Sequence, residues 1–157
     1  LGLAILQNRL ALAQKHLSAF LTDRYLLPQP RLQTGMQASA LGRRIAAMDI
    51  SDGLAGDIRK IAEASNVGVI LDQAAIPLSA AARAAVNQDE TCWQQIMTGG
   101  DDYELLLCGP VDDIARLGND VTVIGTVTDT PGEILMTSLD GKMAELAKGG
   151  FDHFSTS

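Results

Sequence analysis

Short apolar runs of strand length alternate with helical stretches along this chain, and that alternation limits the fold more than any other feature. Ile45-Ala-Ala-Met-Asp-Ile50, Val67–Leu71, Tyr103–Cys108 and Val121–Thr128 are too short for buried helices and suit strands of a layered sheet. Between them the spacing predicts a helix over 53–65, with Leu54, Ile58 and Ile61 on one face, helices over 79–86 and 90–97, and a short one over 112–117. Pro131-Gly132 reads as a turn into 133–139. Ahead of the first strand, Leu3, Leu6, Leu10, Ala13, Leu17, Phe20 and Leu21 recur at helical spacing, predicting one long helix over 3–26. Pro28 and Pro30 end it, because proline lacks the amide donor and turns its predecessor away from the α region. A shorter helix is expected over 32–42. The rhythm is not a strict βαβ repeat, so the residues indicate an α+β or α/β layered domain around a mixed sheet.

Size and charge narrow the function. At 157 residues the chain suits a single domain, 1–157, and its 46% hydrophobic but 4% aromatic content calls for an aliphatic, alanine-rich core. That balance excludes a disordered chain and a disulfide scaffold. The net charge of −7, with no basic stripe beyond the pair Arg43-Arg44, argues against a nucleic-acid partner. No uncharged stretch reaches the ~18 apolar residues of a membrane span. Cys92 and Cys108 read as reduced thiols, which points to a cytoplasmic location. The chain opens at Leu1 already in helical period, without a cap or an initiator Met, and so reads as a piece of a longer protein.

The first place for chemistry is Met48-Asp49-Ile50-Ser51-Asp52-Gly53-Leu54, where a strand meets a helix. Two carboxylates and a hydroxyl at a strand end make a seat for Mg²⁺, which takes one or two carboxylates and leaves its other positions to water and phosphate oxygens. The same letters serve equally to cap the helix with Ser51 or Asp52. A second place is Thr98-Gly-Gly-Asp-Asp-Tyr-Glu-Leu105, whose paired glycines let a ligand approach the backbone, or which is an ordinary polar loop before a strand. In the tail, Phe151 and Phe154 suit stacking on a flat heterocycle or docking of a chain end. His16 and His153 do not support a zinc site, and neither GxGxxG nor GxxxxGK[ST] occurs. An aspartate-nucleophile phosphatase of the haloacid-dehalogenase type would need its acids two apart and its motif at the start of the fold. Here Asp49 and Asp52 are three apart and follow a long helical lead-in.

Taken together and in order, MDISDGL, then TGGDDYELL, then GGFDHF, with RYLLPQPRL upstream, resemble the C-terminal domain of the thiamine-monophosphate kinase family, across essentially the whole chain. That family is similar to the aminoimidazole-ribotide-synthetase-like ATP enzymes, which pair an N-terminal ATP-binding domain with a C-terminal domain. The resemblance implies a three-layer α/β/α fold and ATP-dependent phosphorylation of thiamine monophosphate to thiamine diphosphate. It also implies Asp49 and Asp52 as Mg²⁺ ligands, Ser51 on ATP, Asp101 on the substrate where relatives often carry Glu, and Phe151 on the thiamine moiety. The N-terminal domain is absent from these residues, and the full-length enzyme is expected to be a homodimer. A non-catalytic binding module and another enzyme of the superfamily are the alternatives. The hydrogenase-maturation relatives end in a reactive cysteine, whereas this chain ends Ser155-Thr156-Ser157.

Overall fold

The computed structural model describes residues 1–42 and 44–146. Within them seven α-helices and six strands follow one another as α1 (Gly2–Leu6), α2 (Lys15–Leu26), α3 (Leu32–Ala40), β1 (Ala46–Ile50), α4 (Leu54–Ser65), β2 (Gly68–Asp72), α5 (Ala80–Gln88), α6 (Thr91–Thr98), β3 (Glu104–Cys108), α7 (Val111–Ala115), β4 (Gly125–Thr128), β5 (Ile134–Thr137) and β6 (Met143–Glu145). The class is α+β and one sheet is mixed. The strands divide between an antiparallel β1–β3 ribbon and a four-stranded sheet ordered β4-β2-β5-β6, in which β2 and β5 run parallel and the other pairs antiparallel.

Helix α4 joins the two. Its spacing puts Leu54, Ala55, Ile58, Ile61 and Ala62 on one buried stripe, against Val69 and Leu71 of β2, Ile134 of β5, Leu106 of β3 and Met97 of α6. Leu71 and Ile134 are each 1% exposed, so the core lies between α4 and the four-stranded sheet. A satellite cluster of Leu12, Leu21, Ala81, Ala85 and Cys92 gathers α2, α5 and α6 around the loop after α1. No helix among the described residues is long and apolar enough to cross a membrane.

Two expectations need correction, and one strand falls outside any expectation. The single helix over 3–26 is two helices. Asn8 adopts a left-handed φ of 57°, the Arg9 amide donates to the Ala4 carbonyl at 2.8 Å and the Asn8 amide to Ile5 at 3.0 Å. This is the double closure that ends a helix at a left-handed residue, with asparagine in the place glycine usually takes. After the break α1 packs beside α2, where Ala4 and Leu21 are buried while Leu3, Leu6 and Phe20 stay exposed. The strand expected over 121–128 is confined to β4, since only Gly125–Leu71 through Thr128–Gly68 are in register with β2. Strand β6 carries no alternating pattern in Met-Ala-Glu and exists through its pairing with β5.

Candidate functional site

The strand end at Ile50 is where both acidic motifs meet. Beyond it Ser51 and Asp52 form a bend, and α4 starts at Leu54 with Gly53 as its cap residue. The cap position, which one reading gave to Ser51 or Asp52, is held by Gly53, with no side-chain cap hydrogen bond there. Gly53 has φ 98°, and a β-carbon there would lie 2.7 Å from the Thr98 carbonyl carbon. Only glycine lets the 98–100 backbone come this close. At Gly100 a β-carbon would stand 2.2 Å from the Ser51 carbonyl oxygen. The two glycine-bearing loops thus interlock. The Asp101 amide donates to the Ser51 carbonyl at 2.9 Å and the Tyr103 amide to the Ile50 carbonyl at 2.8 Å, extending the ribbon's pairing past its end.

Asp49 sits in register with Leu105 and faces solvent, on the side of β1 away from the core. Asp52 is half-buried and takes an ion pair from Lys60 of α4. Asp101 is exposed at φ 66°, and the Tyr103 hydroxyl is 3.4 Å from its carboxylate. The negative charge of Asp101 is the main reason the Tyr103 hydroxyl titrates above its ordinary range. Asp102 keeps contact with solvent, yet desolvation by the surrounding protein pushes its carboxyl up to about 6; the Leu1 ammonium opposes this, and Glu104 and Asp101 add to it. Phe151, Phe154 and His153 lie outside the described residues.

The structure adds residues that no motif singled out. Asp57, in the first turn of α4, is 0% exposed. One of its oxygens accepts the amides of Ser51 and Asp52, each at 2.9 Å, and the other accepts from Lys60 at 2.8 Å. Hydrogen bonds to Asp52 and then Asp57 raise the pKa of Lys60, which stays charged. The available signal was an acid one turn into a helix that follows Asp-Gly, where side chains reach back to unpaired amides. Arg31, in the lead-in RYLLPQPRL, forks onto Glu104 at 2.7 and 2.6 Å, so that segment fastens to the second motif. Nothing in the spacing of residues 73 apart announces that contact.

The chemistry available here is that of hard oxygen donors at an exposed edge. Among the described residues no three His, Cys, Asp or Glu side chains converge as a metal cage. Carboxylates at a strand end, with the other positions left to water and phosphate oxygens, are the donor type that Mg²⁺ takes. Asp49 and Asp52 offer none of the histidine or cysteine donors on which zinc sites are chiefly built.

Residues 7–138 match the family described as AIR synthase related protein, C-terminal domain. The chain is 38% identical over 165 residues to the thiamine-monophosphate kinase of Escherichia coli strain K12, covering 99% of this chain and 49% of that one. It is 39% identical over 124 residues to the thiamine-monophosphate kinase of Mycobacterium tuberculosis strain H37Rv, covering 75% and 34%. The chain thus spans about half the length of the curated relatives it matches. Among solved structures it is similar to "AaThiL complexed with AMPPCP and TMP", with a TM-score of 0.75, 27% identity and coverage of 98% of this chain and 47% of that one. The thiamine-monophosphate kinase of Stenotrophomonas maltophilia K279a gives a TM-score of 0.72 at 31% identity, with 92% and 46% covered. The hydrogenase maturation protein HypE of E. coli, at 17% identity and a TM-score of 0.66, shares the fold.

Proposed function

This chain belongs to the family of AIR synthase related proteins, as their C-terminal domain, and from that premise we propose that it supplies one half of a thiamine-phosphate kinase site. The observation that carries this reading is the interlocking of the 49–53 and 98–104 loops at the end of β1, which brings Asp49, Ser51, Asp52 and Asp101 to one edge of the domain. The 38% identity of the whole chain to a thiamine-monophosphate kinase supports the same conclusion, as does a neighbour of 0.75 TM-score complexed with AMPPCP and TMP.

The reaction transfers the terminal phosphoryl group of ATP to the phosphate of thiamine monophosphate, releasing ADP. The acceptor phosphate has a second pKa of about 6 and is largely ionised at pH 7, so no side chain need remove a proton from it. Catalysis is then positioning plus neutralisation of two anions. Asp49 and Asp52 would hold Mg²⁺, which when bound offsets the negative charge of the phosphate oxygens. Asp52 would exchange its Lys60 partner for the cation. Ser51 would donate its hydroxyl to the nucleotide and Asp101 would meet the substrate, and the resemblance assigns Phe151, outside the described residues, to the thiamine moiety. The acids could not face two anionic substrates without such a cation, so the local excess of negative charge belongs to the mechanism.

On this reading an N-terminal ATP-binding domain outside these residues would supply the remaining half of the site, and the complete enzyme would be a homodimer. The chain alone should accordingly bind ligands weakly and turn over little. ADP release from ATP, Mg²⁺ and thiamine monophosphate tests this, with the chain alone and together with the N-terminal half of a full-length relative. Activity in the mixture that disappears with Asp49→Asn or Asp52→Asn supports the reading. Thiamine monophosphate binding without ADP release in either sample would instead mark a non-catalytic binding module.

A further inference from the structure

Asp57 is a carboxylate sealed from solvent, and nothing in the proposed reaction uses it directly. A buried carboxylate is costly unless it is paired and fully hydrogen-bonded. Asp57 meets that condition in an asymmetric way: one oxygen takes two consecutive backbone amides, Ser51 and Asp52, and the other takes Lys60. Those amides belong to the bend between β1 and α4, which has no sheet or helix ladder of its own to fix it. From the opposite side the Asp101 amide donates to the Ser51 carbonyl of that bend, and the Tyr103 amide to the Ile50 carbonyl at the end of β1. Amides are thus secured by Asp57 and carbonyls by the glycine loop, and the direction of the Asp52 side chain follows from both.

We propose that Asp57 is a positioning residue of the cation site. It acts through the Ser51–Asp52 backbone to present the Asp52 carboxylate, and it touches neither metal nor substrate. This rests on the reading of Asp49 and Asp52 as cation ligands. Groups that orient metal ligands from behind commonly change metal affinity about 10-fold to 100-fold when removed.

The test uses the 157-residue chain and Mn²⁺ as a paramagnetic probe, with amide resonances read by NMR. In Asp57→Ala the Ser51 and Asp52 amides should exchange faster with solvent. Broadening of the Asp49–Asp52 amides should then need roughly 10-fold to 100-fold more Mn²⁺. Asp57→Asn keeps an oxygen that can accept both amides but loses the charge that strengthens those bonds, so it should show each effect in the same direction and smaller. Lys60→Met removes a neighbouring cation and should not weaken Mn²⁺ binding. Equal Mn²⁺ affinity in wild type and Asp57→Ala overturns the inference, as does a Lys60→Met variant that reproduces the Asp57→Ala loss. Should Asp57→Ala lose the protected amides of Leu71 and Ile134, and with them the fold, Asp57→Asn decides alone. Its Ser51 and Asp52 amides must exchange faster than in wild type and its Mn²⁺ affinity must fall, and an unchanged affinity overturns the inference. If wild type takes up no Mn²⁺ at Asp49–Asp52, the cation reading falls, and faster exchange in the variants then shows only that Asp57 anchors the bend.

Discussion

In the four-stranded sheet, Leu71 and Ile134 are almost wholly covered by α4, while in the β1–β3 ribbon Ala47, Asp49 and Glu104 face solvent. The sheet is held by apolar burial, which is roughly proportional to area and indifferent to direction. The ribbon's end is held by directed bonds: two amides on Asp57, two on the carbonyls of Ile50 and Ser51, and a guanidinium fork on Glu104. The contrast suits the proposed chemistry. Phosphoryl transfer depends on where carboxylates point, and directed bonds set an angle that burial cannot.

Replacing an apolar residue in the sheet should therefore have the largest effect on stability. Leu71→Ala should lower the unfolding free energy by about 2–5 kcal/mol in urea titration, through lost transfer energy and the cavity left behind. A loss below ~1 kcal/mol would mean that burial does not dominate there.

Gly100→Ala attacks the other region by geometry. The added carbon must move the Ser51 carbonyl, at a cost of about 1–3 kcal/mol, and the chemical shifts of residues 49–53 should move with it. Shifts confined to residues 99–101 would show that the two loops are not interlocked.

Asp102→Asn probes the electrostatics of the ribbon's end. The carboxyl stands at about 6 in the folded chain against an ordinary 3.8. Between those values the folded chain keeps a proton that the unfolded chain has released, so stability falls as pH rises through that window and the penalty is complete above it. The substitution should raise Tm at pH 8 and leave it unchanged near pH 3.5. An equal Tm gain at both pH values would assign the effect to packing.

Arg31→Ala removes an exposed fork and should cost only ~0.5–1 kcal/mol, since water screens both partners. Smallest of all is Asp49→Asn, within ~0.5 kcal/mol by thermal melting, because the side chain lies on the exposed face of β1. A large loss there would make Asp49 a structural residue and separate it from the cation role.

Much of this was legible in the letters. The buried stripe of α4 follows from Leu54, Ile58 and Ile61 at helical spacing, because burial on one face needs only a period. The strand–bend–helix junction at 50–54 was visible from a short apolar run that stops at Ser-Asp-Gly. The two acidic motifs could be marked as chemistry by composition and spacing, though not shown to touch. Asp57 was hidden in plain helical sequence, since an acid in a first turn is common and its partners depend on how the preceding bend is folded.

Local order was the sequence's own decision: where helices and strands lie, which faces are apolar, and that acids cluster beside glycines. Those properties depend on neighbours a few residues apart. Tertiary structure alone decided that β6 would exist and that Arg31 would reach Glu104. It also decided that Asp57 would stand behind Ser51 and Asp52. Each of these depends on a hydrogen bond or a packed surface whose partner is chosen by the folded chain as a whole, and a directed bond has no meaning until both its ends have a place.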